Sequence, residues 1–272
     1  MDTEDYAVRL REVLSQFGEL AVAVSGGVDS MTLATYAHRL GHGKVTMFHA
    51  VSAAVPPAAT ARVKAAAASE GWPLQIIAPG ELEQEAYVAN PIDRCWHCKH
   101  ALYATILAKT GAQIASGANT DDLGDYRPGL KAAAEAAVRH PFIEAGIGKA
   151  GVREIARALG LGEIAELPPS PCLSSRIETG TRISPSLLRT IDSVETMLRT
   201  RMTVYDVRCR MRGSGIVVEL DKDALSRLDP EQRSRLARDI LLRFAKAGLP
   251  FDGPPRFEPY RMGSAFVGAR NA

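Results

Sequence analysis

Six consecutive residues, Ser25-Gly26-Gly27-Val28-Asp29-Ser30, have the makeup of a loop that grips phosphate. Glycines there let backbone N–H groups approach a phosphate closely, and a helix starting at the loop adds the partial positive charge of its aligned peptide dipoles. Ser30 can serve as an N-cap or as a phosphate donor, and Asp29 can hold a metal ion or orient the loop. No Gly-Lys-Ser/Thr follows, so this is not a Walker loop. Asn119-Thr120-Asp121-Asp122 follows another apolar run. Beside a triphosphate, Asp121 and Asp122 suit Mg²⁺; away from one, an Asp there caps a helix.

The second kind of chemistry is sulfur. Cys95-Trp96-His97-Cys98 follows a proline-containing loop and opens a helix. A helix N-terminus lowers thiol pKa, so Cys95 and Cys98 read as redox partners or metal ligands. C-x-x-C is half of a tetrahedral site, and helical spacing points His97 and His100 in different directions, away from a zinc set. Cys172 stands in Pro-Cys-Leu-Ser-Ser-Arg with Arg176 nearby, in a polar loop expected to be mobile, which favours reactivity. Cys209 alternates with Arg208 and Arg210 on a strand pattern and therefore faces a core. Arg208, Arg210 and Arg212 share the other face, where three cations suit an anionic ligand.

These residues need elements to hold them. LAVAV (20–24), KVTMFHAV (44–51), PLQIIA (73–78) and AQIASG (112–117) read as buried strands. They alternate with helical patterns at 30–40, 59–71, 100–111 and 149–160. Strands alternating with helices of this length imply βαβ units, hence an α/β, doubly wound parallel sheet with its ligand site at the strands' carboxyl ends. Residues 1–165 form that domain. Residues 166–272 form a smaller α+β domain: a proline-rich loop (166–186), a helix (186–200), two paired strands around Gly213-Ser214, a helix (230–248), and FEPYRMG as a last strand.

Composition narrows the class further. The 272 residues are 46% hydrophobic and 24% charged, with a net charge of +2, so the total charge signals neither a nucleic-acid binder nor an acidic tail. The charge is uneven: 15 Lys and Arg against 18 Asp and Glu up to residue 165, then 18 against 13, with 16 of those 18 being Arg. Arg favours bidentate contact with phosphate or carboxylate. No apolar run reaches the roughly 20 residues of a membrane span. The acidic, amphipathic start MDTEDYAVRLREVL is not a secretory signal, and four cysteines do not make a disulfide scaffold. A cytoplasmic protein is expected.

Together the stretches AVAVSGGVDS, NPIDRCWHCKHALY, SGANTDDLGDYRPGLKAA, PFIEAGIGKAGVREIARALGL, PCLSSRIETGTRIS and VRCRMRG resemble one family. It is the LarE family, the ATP-dependent sulfur-insertion enzymes of lactate racemase nickel-pincer cofactor synthesis. SGGVDS by itself marks only the wider superfamily of PP-loop ATP pyrophosphatases. The resemblance spans about Leu20 to Gly213, with a fainter echo in PYRMGS (259–264).

The resemblance implies a two-step reaction. A carboxylate of a nicotinate-derived pyridinium dicarboxylate mononucleotide attacks ATP, giving an acyl-adenylate and pyrophosphate. A sulfur nucleophile then displaces AMP and leaves a thiocarboxylate. ATP would sit on Ser25, Gly26, Gly27, Asp29 and Ser30, with Mg²⁺ on Asp121 and Asp122. In simpler members the cysteine matching Cys172 donates its own sulfur and ends as dehydroalanine. Others add two cysteines, and Cys95, Cys98 and Cys172 fit that version, in which three thiolates hold a [4Fe–4S] cluster with one iron open. By the same matching Arg208, Arg210, Ser175 and Arg176 would bind substrate, and Glu195 would lie near the sulfur-transfer centre. Expected partners are the other enzymes of the nickel-pincer pathway and a second copy of the chain, with no membrane and no nucleic acid. Two other classes fit the same residues: a tRNA thiolase, and a non-catalytic nucleotide-binding or iron–sulfur protein.

Overall fold

The computed structural model describes residues 3–41, 43–124 and 127–261. The chain divides into two compact units, one of Met1–Glu81 and Cys95–Ser170, the other of Leu82–Arg94 and Pro171–Ala272.

The first unit is the α/β layer that the alternating pattern predicts. Four parallel strands, β1 (Glu19–Ala23), β2 (Lys44–Ala50), β3 (Leu74–Ile77) and β4 (Gln113–Ser116), lie in the order β3-β2-β1-β4. β1 is central, with Leu20 beside Val45 on one side and beside Gln113 on the other. Because side chains alternate across a strand, Leu20, Val22 and Val24 enter one core while Ala21 and Ala23 enter the opposite one. The first core is completed by α1 (Thr3–Leu14), α2 (Val28–Leu40) and α8 (Lys149–Ala158). Across the sheet, Leu102, Tyr103 and Ile106 of α5 (Arg94–Leu107) and Ala133 of α6 (Pro128–Glu135) close the second. Helices α3 (Pro57–Glu70) and α7 (Pro141–Glu144) complete this unit. Pro128 and Pro141 start α6 and α7, two short helices in a stretch without strong periodicity.

The second unit is smaller. α9 (Pro185–Arg201) packs on a sheet of β5 (Val207–Arg212), β6 (Gly215–Leu220) and β7 (Arg256–Pro259). β5 and β6 form an antiparallel hairpin, and β7 runs parallel to β6. α10 (Lys222–Ser226) and α11 (Pro230–Lys246) follow the hairpin. The expected last strand ends at Pro259, and Met262-Gly263 of that expectation lie outside the described residues. The helix α4 (Glu85–Val88) belongs here too, because Val88 accepts from Ile183 N–H and Asn90 from Gly180 N–H. Among the described residues no helix is long and apolar enough to cross a membrane.

Candidate functional site

The loop 25–30 leaves the carboxyl end of central strand β1 and enters α2, as its composition predicts. Gly27, with no side-chain cap, is the N-cap. Ser30 is therefore not the N-cap. It lies in the first turn, where its hydroxyl donates to the Gly27 carbonyl at 3.1 Å and accepts from Ser25 N–H at 3.1 Å. Gly26 holds φ +86°, and a Cβ there would come within 2.8 Å of the Ala59 carbonyl oxygen, so only glycine fits. Arg62 donates to the Gly26 carbonyl at 2.6 Å. Behind the loop, His49 is buried between the Val24 carbonyl at 2.7 Å and the Thr60 hydroxyl at 2.9 Å. A carbonyl only accepts, so Nδ1 carries the proton, and burial lowers the imidazole pKa despite that bond.

Asp29 is the hub of this end of the sheet. Its carboxylate takes Lys149 Nζ at 2.7 and 2.5 Å and the Asn119 side-chain amide at 3.2 Å. Asp121 accepts from Lys149 N–H at 3.2 Å, and Asp122 accepts from Asn119 N–H at 3.0 Å and pairs with Arg127 at 2.9 Å. Gly117 lets the β4 end close on the loop, since a Cβ there would stand 2.8 Å from the backbone of both Asp29 and Ser30. The sequence motifs 25–30 and 119–122 thus come together, and Lys149 joins them. Its signal in the sequence is a lysine in the first turn of a helix, where a cation opposes the helix dipole unless an anion is near. As to Mg²⁺, Asp29 and Asp121 offer the right oxygen donors, at present engaged by Lys149.

The thiols of Cys95 and Cys98 sit one turn apart at the start of α5, which begins at Arg94, so the C-x-x-C opens a helix as expected. Both are half-buried. The rings of His97 and His100 each pack on Trp96, at 5.0 and 4.9 Å, one edge-on and one stacked. Among the described residues no three His, Cys, Asp or Glu side chains are grouped closely enough to hold a metal ion.

In the second unit Cys172 is exposed and immediately precedes a 3-10 turn, Leu173–Arg176. That segment is bound, not loose. Arg176 donates to the Pro171 carbonyl at 2.7 Å and the Cys172 carbonyl at 3.2 Å, and the Ser175 hydroxyl donates to the same Cys172 carbonyl at 2.7 Å. Tyr87 and Ser174 share a hydroxyl contact of 2.6 Å, both buried. Arg176 is itself buried against Glu195, at 2.9 and 3.1 Å. Burial pushes the Glu195 carboxyl up, but Arg176, Cys209 N–H and Arg199 outweigh it and hold the carboxyl below its usual range. Glu195 is thus an ionised anchor inside the unit. Cys209 is buried as predicted, and burial raises its thiol pKa.

The arginine face of β5 carries counter-charges from its own unit. Arg210 and Arg212 both pair with Glu219 of β6, at 2.9 and 2.7 Å, and Arg212 also reaches Glu258. Arg208 lies over the Tyr260 ring at 5.2 Å, and burial with the nearby Arg176 charge lowers its pKa. Glu219 is the counter-charge that strand alternation alone could have located, because it stands opposite Arg208 in the hairpin and on the arginine face.

No family model matches the chain. An uncharacterized protein of Synechocystis sp. is 33% identical over 237 residues, 86% of this chain and 85% of that protein. An uncharacterized protein of Methanocaldococcus jannaschii is 31% identical over 167 residues, 59% of this chain and 62% of that one. The pyridinium-3,5-bisthiocarboxylic acid mononucleotide synthase of Lactiplantibacillus plantarum is 30% identical over 212 residues, 76% of each chain. Through that relative the chain belongs to the LarE family as a distant member.

Proposed function

We propose that the chain is an ATP-dependent sulfur transferase acting on a pyridinium dicarboxylate mononucleotide. The observation that carries the reading is the loop 25–30 over the Asp29–Lys149 pair, in a homologue of a bisthiocarboxylic acid mononucleotide synthase. The loop amides and Lys149 hold the phosphates of ATP. Asp29 and Asp121 would hold Mg²⁺, which would neutralise phosphate charge. A substrate carboxylate oxygen attacks the α-phosphorus, the bond to pyrophosphate breaks, and an acyl-adenylate forms. Adenylation is needed because a free carboxylate has no competent leaving group.

The sulfur then comes from Cys172, the exposed thiol of the second unit. Its thiolate attacks the acyl carbon, the C–O bond to AMP breaks, and a thioester forms with release of AMP. Loss of the Cys172 Cα proton to solvent and cleavage of its Cβ–Sγ bond leave a thiocarboxylate on the product and dehydroalanine at position 172. Arg208 and Ser175 serve the anionic substrate.

Incubation with ATP, Mg²⁺ and the dicarboxylate mononucleotide should yield pyrophosphate, AMP and thiocarboxylate. The chain should lose the mass of H₂S at residue 172, and Cys95→Ala should keep that single turnover. Unchanged chain mass over many turnovers, with Cys95→Ala inactive, would overturn Cys172 as the sulfur donor. Sulfur delivered to tRNA instead would overturn the substrate class.

A further inference from the structure

We infer that Arg210 is a positioning residue that fixes the turn presenting Cys172, acting through a backbone carbonyl and not through a bound anion. Arg210 is 5% exposed, and two of its donors are committed inside the unit. Nε donates to Glu219 at 2.9 Å, and Nη1 donates to the Ser175 carbonyl at 2.9 Å. Ser175 lies near the end of the 3-10 turn, where carbonyls have no partner within the turn itself. The planar guanidinium therefore ties the turn to β5, an interior part of a hydrogen-bonded hairpin.

The other fastenings point the same way. Within the turn, Ser175 N–H donates to Cys172 and Ile177 N–H donates to Ser174. Arg176 takes the Pro171 and Cys172 carbonyls, and Tyr87 takes the Ser174 hydroxyl. Past the turn, Glu178 N–H donates to Met211 at 2.8 Å, so β5 grips the segment on both sides of Arg176. The exposed thiol is thus carried on a strand-anchored support. The role for sulfur transfer rests on the function proposed above; the anchoring itself does not.

Arg210 can be removed without leaving Glu219 uncompensated, because Glu219 keeps Arg212 at 2.7 Å. Hydrogen exchange on the full chain compares wild type with Arg210→Ala, Arg210→Lys and Tyr87→Phe. In both Arg210 variants exchange of the Ser175 and Ile177 amides should accelerate roughly tenfold, while α9 and α11 keep wild-type protection. Lysine should not rescue, since a point charge cannot span Glu219 and the Ser175 carbonyl together. Tyr87→Phe should loosen the same amides. With the dicarboxylate mononucleotide, affinity should stay within about twofold and pyrophosphate release should persist, while thiocarboxylate formation slows roughly tenfold. Wild-type exchange at 175 and 177, together with a tenfold loss of substrate affinity, would overturn the inference and make Arg210 a substrate ligand. Should Arg210→Ala fail to fold, Arg210→Lys carries the same comparison. Exchange needs no turnover, so a wild-type chain that makes no thiocarboxylate refutes the sulfur-transfer reading separately.

Discussion

Lys149 pairs with Asp29 from the first turn of α8, where a cation opposes the helix dipole. Replacing it with methionine keeps the length and removes the charge. Pyrophosphate release in Lys149→Met should fall by about two orders of magnitude, as expected when one fixed charge near a reacting phosphate is lost. Asp29→Ala should likewise abolish pyrophosphate release and leave the circular dichroism spectrum intact; wild-type release from either variant would remove the loop as the ATP site. Gly117→Ala tests packing at the same point. Its Cβ would meet the backbone of Asp29 and Ser30, so release should fall with both side chains still present. His49 adds a pH dependence. Its folded pKa is depressed, so its contribution to stability is complete above the unfolded value of about 6.5 and is lost as pH falls below it. Urea unfolding at pH 7.5 and 5.5 should show this decline, and His49→Gln should flatten it.

Among the elements, the helix ends give the cleanest test. α11 opens with a capping box in which Asp229 accepts from Gln232 N–H at 2.7 Å and Gln232 returns a bond to Asp229 N–H. Asp229→Ala should cost about 1 kcal/mol, read as a fall of a few degrees in the melting temperature. The strands of the first unit and the β5–β6 hairpin were legible because their signals are local: LAVAV is a continuous apolar run, and Gly213-Ser214 separates the alternating VRCRMR from the apolar GIVVEL. The phosphate loop was legible for the same reason, its glycines and Ser25 lying next to each other. What escaped depends on partners far along the chain. Lys149 meets Asp29 across 120 positions, and Arg210 meets the Ser175 carbonyl across 35. A side chain that binds a remote backbone carbonyl leaves no pattern of residue types, so Arg210 reads from sequence as a free cation. Glu219 lay within reach of pattern reasoning, being placed opposite Arg208 by hairpin register.

At the scale of the whole molecule, the chain passes from one unit to the other three times, because Leu82–Arg94 lies in the second unit between two stretches of the first. Asn90 is the reason that segment cannot be treated as a linker. It is fully buried at φ +57°, and its amide donates to the carbonyls of Glu178 at 2.8 Å and Thr181 at 2.9 Å. A fragment ending at 170 should leave Tyr87, Val88 and Asn90 without the surroundings that bury them, and residues 171–272 alone should lack cooperative unfolding in calorimetry. Adding a peptide of residues 82–94 to that second fragment should restore it; cooperative unfolding of 171–272 without the peptide would refute this. During synthesis the same insertion imposes a waiting time. Residues 82–94 leave the ribosome long before β5 exists, and at about 5–20 residues per second the interval is roughly 6–23 seconds. Throughout it Tyr87, Val88 and Asn90 lack the surroundings that later bury them, with the free thiols of Cys95 and Cys98 a few residues on, so this stretch of the newborn chain is open to oxidation and to chaperone capture.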